Sequence, residues 1–310
     1  MKHQSITLGP HVFTALREYQ PLVALETALV THGLPRPLNL ETALAMEEAV
    51  QENGAVPCTI GILGGRLVIG LTKSEQEALA SEQAPLKVGL RELPYALAQG
   101  ISGGTTVSAT AYLAHRYGIR VFATGGIGGV HRGAGETFDI SNDLTVLGKT
   151  PVTVISSGAK AILDLKLTLE YLETAGVTVA GFKTNSFPAF YSHGSPYSLS
   201  LRLDSALEVA RMALQRDELG MSAAILVCNP VPPEFEIPWD KLIALVEQTD
   251  NDIKREGIVG QDVTPQMLRR MFALSEGQTL HANLALLVAN AGLGGEIARK
   301  IQEQRGENYV

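Results

Sequence analysis

The 310-residue chain is poor in several things that mark other classes of protein. Its two cysteines, Cys58 and Cys228, are too few for a disulfide framework, and each sits in an apolar, strand-like stretch that suits a buried thiol. Aromatic residues make up only 5%, with one tryptophan, and 25 Lys+Arg face 32 Asp+Glu for a net charge of −7. A dedicated nucleic-acid binder needs a basic face and stacking rings, so that class is set aside. No run approaches the ~18 apolar residues of a spanning helix. The N-terminal MKHQSITLGPHVFTALREYQ lacks the apolar core of a signal peptide. A cytoplasmic location is the expectation. Charge is also scarce, at 18%, whereas 45% of residues are hydrophobic, enough at this length to bury a large core and to exclude whole-chain disorder.

What the chain has in abundance is glycine, 31 residues, set among alternating strand-like and helix-like segments. That alternation predicts a layered α/β/α sandwich around a mixed, mostly parallel sheet. Strands are expected at Pro21–Glu26, Arg120–Thr124, Val152–Ser156, Val177–Phe182 and Ala223–Asn229. Val56–Leu63 and Arg66–Leu71 flank Gly64-Gly65 as a two-residue hairpin would. Helices are expected at Thr105–Tyr117, Lys160–Ala175, Leu203–Gln215, Asp240–Glu256 and Thr279–Gln304, with another capped by Asn39 and stopped at Gly54. No linker or repeat divides the chain, so residues 1–310 read as one domain.

Three glycine motifs fail on inspection. Gly148-Lys149-Thr150 ends like a phosphate-binding P-loop, but Asp143 occupies the position of its first glycine and would repel phosphate. Gly125 to Gly129 follows a strand without the G-x-G-x-x-G spacing of a dinucleotide loop. Gly100-Ile101-Ser102-Gly103-Gly104 matches a nucleophile elbow, yet Arg91–Ala98 before it reads as helix where a strand is required. No HExxH or paired Cys-x-x-Cys is present to build a closed zinc site.

Four features survive. Gly103-Gly104-Thr105-Thr106 leads into a helix whose N-terminal amides suit a phosphate, with Lys87 upstream as a cation; the alternative is plain capping by Ser102 or Thr105. Thr124 to Gly133 holds five glycines in ten residues, a density that fits backbone approaching a ligand, and continues into Asp139-Ile140-Ser141-Asn142-Asp143. Its carboxylates at i and i+4 suit a hard cation, unless Asp139 or Ser141 only caps a helix. Lys160 ends a strand in Ser156-Ser157-Gly158-Ala159-Lys160, where apolar neighbours and a helix N-terminus would lower its pKa; a surface pair with Asp164 is the competing explanation. Glu26, at the end of the first strand, is a candidate acid or base, or else a helix-start carboxylate.

These residues lie in long, unusual strings: ALETALVTHGLPRP, GAVPCTIGILGG, TGGIGGVHRGAGETFDISNDL, SSGAKAILDLKLTLEYLET, RLDSA, VCNPVP and HANLALLVANA. Together, from about Val23 to Ala298, they resemble the pseudouridine-5'-phosphate glycosidase (indigoidine-synthase-A-like) family. The resemblance implies reversible cleavage of a carbon–carbon glycosidic bond, giving uracil and ribose 5-phosphate. It casts Lys160 as the nucleophile on C1' of the opened ribose, Glu26 as proton donor, and Asp139 as the ligand of a largely water-bound Mn²⁺. Lys87, Thr106, Val107, Ser141, Asn142 and Asp143 fall on or beside substrate positions; His131 and Asn283 lie in matching motifs. Thr27 stands where the family pattern leads one to expect serine. A homotrimer binding only small molecules, with no nucleic-acid polymer and no membrane, is implied. Two alternatives stay open: a related C-glycosidase acting on another phosphosugar conjugate in pigment biosynthesis, and a non-catalytic phosphosugar binder. The pairing of Glu26 with Lys160 argues against the second, since binding phosphate needs neither an acid nor an activated amine.

Overall fold

The computed structural model describes residues 6–258 and 263–307; residues 1–5, part of the segment searched for a leader, lie outside them. Strands occupy β1 (Ile6–Leu8), β2 (Leu22–Leu25), β3 (Val56–Leu63), β4 (Arg66–Ile69), β5 (Leu86–Val88), β6 (Gly103–Thr105), β7 (Val121–Ala123), β8 (Thr153–Ser156), β9 (Thr178–Phe182), β10 (Arg202–Leu203) and β11 (Ile225–Cys228). Helices are α1 (Pro10–Arg17), α2 (Leu38–Glu52), α3 (Lys73–Ser81), α4 (Leu93–Gln99), α5 (Val107–Arg116), α6 (Ala134–Thr137), α7 (Asn142–Leu147), α8 (Leu165–Thr174), α9 (Ala206–Glu218), α10 (Trp239–Arg255), α11 (Val263–Leu274) and α12 (Gln278–Glu307).

The sheet runs β1-β4-β3-β2-β7-β8-β11-β9-β10, with β6 paired to β3 and β5 to β6. Pairing is parallel except for β3 with β4 and β3 with β6, so the mixed, mostly parallel sheet expected from the sequence is found. The antiparallel β3–β4 pair is the predicted hairpin. Gly64 and Gly65 take φ of 54° and 75°, the two positive angles its tight turn demands.

The central strands β2, β7, β8 and β11 are buried along their length, as strands covered on both faces are, and all but β8, which carries buried Thr153 and Ser156, are wholly apolar. Val23, Val121 and Ala123 meet α12 at Gly294, where a Cβ would sit 3.3 Å from both Val23 and Ala123. Strand alternation turns Phe122 to the opposite face. β2 leads to β3 on one side and β7 to β8 on the other, so the chain reverses its winding between β2 and β7. In such sheets the crevice at that reversal, beyond the carboxyl ends of the strands, is where ligands bind.

Several predicted boundaries shift. Asn39 is not the cap of α2: Pro37 is, and Asn39 is buried in the first turn, its Nδ2 donating to the Val30 carbonyl at 2.7 Å. α8 starts five residues later than expected, with Asp164 as its cap accepting from the Leu167 amide at 3.0 Å. α9 likewise starts later, capped by Ser205. Phe122 is wholly buried at the centre of the sheet. Phe122→Ala is expected to lose about 3–5 kcal/mol, read as a lower denaturant midpoint at unchanged slope; a loss below about 1 kcal/mol would contradict this packing.

Candidate active site

Glu26 and Thr124 follow β2 and β7 directly, one on each side of the winding reversal. The Thr124 hydroxyl donates to the Glu26 carboxyl, bridging it. Beyond the sheet edge the loops after β7 and β8 keep pairing as the strands do. Ser157 N–H donates to the Gly125 carbonyl at 2.8 Å and Ile127 N–H to the Gly158 carbonyl at 3.1 Å. Lys160 N–H then donates to the Ile127 carbonyl at 3.1 Å, and Asp164 N–H to that of Val130 at 2.9 Å. Lys160 is therefore placed by an irregular continuation of the sheet, not by the start of a helix. The helix-end argument for its reactivity falls away, and so does the surface pair with Asp164, whose carboxylate caps α8 instead.

The glycines make this pairing possible. Gly158 has φ of 76°, and a Cβ there would strike the Pro188 carbonyl. A Cβ on Gly128 would collide with Ser141 Oγ and lie 2.7 Å from Asp143 Oδ2. Gly128 must be bare because Asp143, itself buried, folds against it. Asp143 Oδ2 accepts from Gly128 N–H and Oδ1 from Ser108 N–H, both at 2.9 Å. One carboxylate thus clamps the glycine loop to the first turn of α5.

That clamp bears on two expectations. Asp139 and Asp143 do not converge on one cation: Asp143 is taken up by backbone amides, while Asp139 is about half exposed with Oδ2 3.8 Å from His131 Nδ1. At the α5 N-terminus the Ser108 amide is already bound by Asp143. Gly103 and Gly104 are strand residues of β6, and neither Ser102 nor Thr105 caps the helix. Ser102 Oγ accepts from Gly64 N–H; buried Thr105 donates to the Ile60 carbonyl and, through its amide, to Thr27 Oγ1. Thr27, in the place where serine was anticipated, uses its hydroxyl to stitch β3 to β6.

Around the crevice Glu26, Lys87, His131, Asp143 and Lys160 feel one another's charge. Burial pushes the Glu26 carboxyl up to about 7, with Asp143 adding to the rise; Lys160, the Thr124 hydroxyl bond and Lys87 pull the other way. Lys87 stands at the exposed middle of β5, yet surrounding protein, and next the like charge of Lys160, lower its pKa. Burial, with Lys160 and Lys87 in support, also lowers that of His131 against the opposing pull of Asp139. Ser141 caps α7 through the Asp143 amide, and Asn142 opens that helix on the exposed side. Thr106 and Val107 begin α5, the Thr106 hydroxyl 3.1 Å from Ser108 Oγ. Asn283 is half-buried on α12, and no hydrogen bond among the described residues joins it to the charged group.

Sequence reasoning missed three contributors. His32, whose pKa is lowered by burial and then by Lys87, stands near the lysine on the short helical turn Leu29–Gly33. Thr124 holds Glu26. Asn290 is fully buried, with Nδ2 donating to the Thr124 carbonyl at 2.9 Å and to Ser157 Oγ at 3.2 Å. The one available signal was spacing: Asn290 follows Asn283 by seven residues, two helical turns, on the same face.

A family model described as indigoidine synthase A like protein matches residues 11–300. The chain belongs to that family. The chain is 50% identical over 295 residues to the pseudouridine-5'-phosphate glycosidase of Paracoccus denitrificans, covering 94% of this chain and 97% of that one. To the enzyme of the same name from Escherichia coli K12 it is 45% identical over 302 residues, 97% of each chain. Among solved structures, the prealnumycin C-glycosynthase AlnA in complex with ribulose 5-phosphate superposes with a TM-score of 0.91 at 39% identity, covering 97% of this chain and 98% of that one. An indigoidine synthase A-like protein from Thermotoga maritima gives a TM-score of 0.87 at 38% identity over 97% and 99%.

Because its folded-state value lies above the ordinary 4.5, Glu26 favours folding in its neutral form, a contribution present below about 4.5 and lost as pH rises through 7. Carbon NMR of the Glu26 carboxyl is expected to show a midpoint near 7 that moves higher in Thr124→Val. A midpoint near 4.5 in the wild-type protein would contradict the burial account.

Proposed function

We propose that this protein cleaves and re-forms the carbon–carbon glycosidic bond of pseudouridine 5'-phosphate, a lyase reaction giving uracil and ribose 5-phosphate. The observation that carries the reading is a carboxyl held near neutrality, Glu26, coupled to the amine of Lys160 at the crevice of the sheet. Full-length relatives of 45–50% identity that bear the glycosidase name support it.

Paired carboxylates suffice for a sugar whose leaving atom can be protonated directly. A carbon leaving group needs an electron source at C1'. In the proposed mechanism Glu26 protonates the ring oxygen as its bond to C1' opens, and the free amine of Lys160 adds to C1'. The nitrogen lone pair then forms a C1' iminium as the glycosidic bond breaks; uracil carbon keeps the bonding pair and takes a proton. Water hydrolyses the iminium, returning the amine and releasing ribose 5-phosphate. Glu26, able to hold or give a proton near pH 7, suits both directions. Lys87 is assigned to the substrate phosphate. Val107, Thr106, Ser141, Asn142 and Asp143 are assigned to shaping the sugar pocket, and His131 and Asn283 to its rim.

A divalent cation, Mn²⁺, belongs to this reading. The donors fit an ion held mostly by water: Asp139 offers a half-exposed carboxylate beside His131, and among the described residues no group of three or more His, Cys, Asp or Glu converges into a cage. When bound, the ion supplies positive charge beside the substrate. Assembly as a homotrimer in the cytoplasm is likewise proposed on the family resemblance. Among the described residues no helix is long and apolar enough to cross a membrane.

A second reading, action on another phosphosugar conjugate as in pigment biosynthesis, draws on the likeness to the AlnA C-glycosynthase. The higher identity to the glycosidases favours uracil. Incubation with ribose 5-phosphate, uracil and Mn²⁺ is expected to shift the ultraviolet spectrum as a C-glycoside forms, and Glu26→Gln to slow that change about 10²–10⁴-fold. Absence of any spectral change in either direction would overturn the assignment to uracil.

A further inference from the structure

Asn290 is wholly buried in α12 and touches neither the crevice nor solvent, yet it joins the ends of three strands. Its Nδ2 donates to the carbonyl of Thr124, just past β7, at 2.9 Å, and to Oγ of Ser157, just past β8, at 3.2 Å. Because a backbone carbonyl can only accept, the amide nitrogen must face Thr124, which fixes the side-chain orientation. Oδ1 is thereby turned to accept from Nδ2 of Asn229, just past β11, at 2.9 Å. The amide makes bonds through both of its ends.

Two of those strand ends lead to the groups assigned to chemistry. Thr124 bonds Glu26 through its hydroxyl. Ser157 begins the run of four residues that ends in Lys160, and its own amide is bonded to Gly125, next to Thr124. We propose that Asn290 is a positioning residue that sets the separation between the Glu26 acid and the Lys160 amine. It acts through Thr124 and Ser157 and does not contact substrate. The proposal rests on the reaction assigned above; wild-type turnover, measured in parallel, tests that reaction separately.

Asn290→Leu keeps the shape of the side chain and adds no charge, but leaves the Thr124 carbonyl, Ser157 hydroxyl and Asn229 amide facing methyl groups. With the folded variant, kcat is expected to fall about 10²-fold, the loss typical of reacting groups misplaced by about an ångström. KM for ribose 5-phosphate should stay within about twofold, because no substrate contact is removed. The limb of the pH–rate profile set by Glu26 should move to higher pH as Thr124 slips from the carboxyl. A role in folding alone would lower the active fraction and leave that limb in place. Should Asn290→Leu fail to fold, Asn229→Ala, which removes only the outer bond, is expected to cost about three- to tenfold in kcat with the limb displaced in the same direction. A folded Asn290→Leu with an unmoved pH limb, or with wild-type kcat, would overturn the proposal, as would an Asn229→Ala variant unchanged in both when Asn290→Leu does not fold.

Discussion

Parallel pairing between β7 and β8 does not stop where the strands stop, and the site depends on that. Two amide-to-carbonyl bonds past the sheet edge, Ser157 to Gly125 and Ile127 to Gly158, hold two glycine-rich loops side by side. A loop free of such bonds would leave buried backbone groups unmatched and the side chains on it loosely placed. Here Thr124 and Lys160 are carried on backbone as constrained as a strand. Glycine is what allows it: Gly158 adopts a left-handed angle against Pro188, and Gly128 makes room for the Asp143 clamp.

On that frame, burial does the electrostatic work. Glu26 is enclosed strongly enough that its carboxyl sits near 7 despite two lysines nearby. Asp143 contributes twice, once by fixing the loop through backbone amides and once by its charge, which discourages ionisation of Glu26. The neutral carboxyl favoured by the fold is the protonated form an acid needs. Ionising it costs stability, a trade found where function asks for a group the fold would not otherwise keep. The same crowding lowers the pKa of Lys87, on which the charge of Lys160 acts, and only their placement separates the proposed roles of phosphate holder and nucleophile.

Local signals were legible in the sequence. Gly64-Gly65 between apolar runs could only be a tight hairpin, and Glu26 closing an apolar strand marked the carboxyl edge of the sheet. Long strings tied Glu26, Asp139 and Lys160 to one family. Features set by distant partners were not legible. Lys160 looked like a helix start because apolar residues follow it, but pairing with Ile127 and capping by Asp164 postpone α8 to Leu165. Gly103-Gly104 looked like an anion loop, whereas the missing side chains let β6 press against Thr27. Asp139 and Asp143 looked like a cation pair until Asp143 proved bound to amides at Ser108 and Gly128. The role of Asn290 was hidden for the same reason, its spacing from Asn283 apart: its partners lie 61 to 166 residues away along the chain.

The central claim is that the amine of Lys160, and not that of Lys87, forms the bond to C1'. Incubation with ribose 5-phosphate and borohydride, followed by peptide mass spectrometry, tests it most directly, because reduction converts the iminium into a permanent secondary amine. The account predicts one sugar phosphate adduct on Lys160, absent from Lys160→Ala; an adduct on Lys87, or none on a protein that turns over, would contradict it.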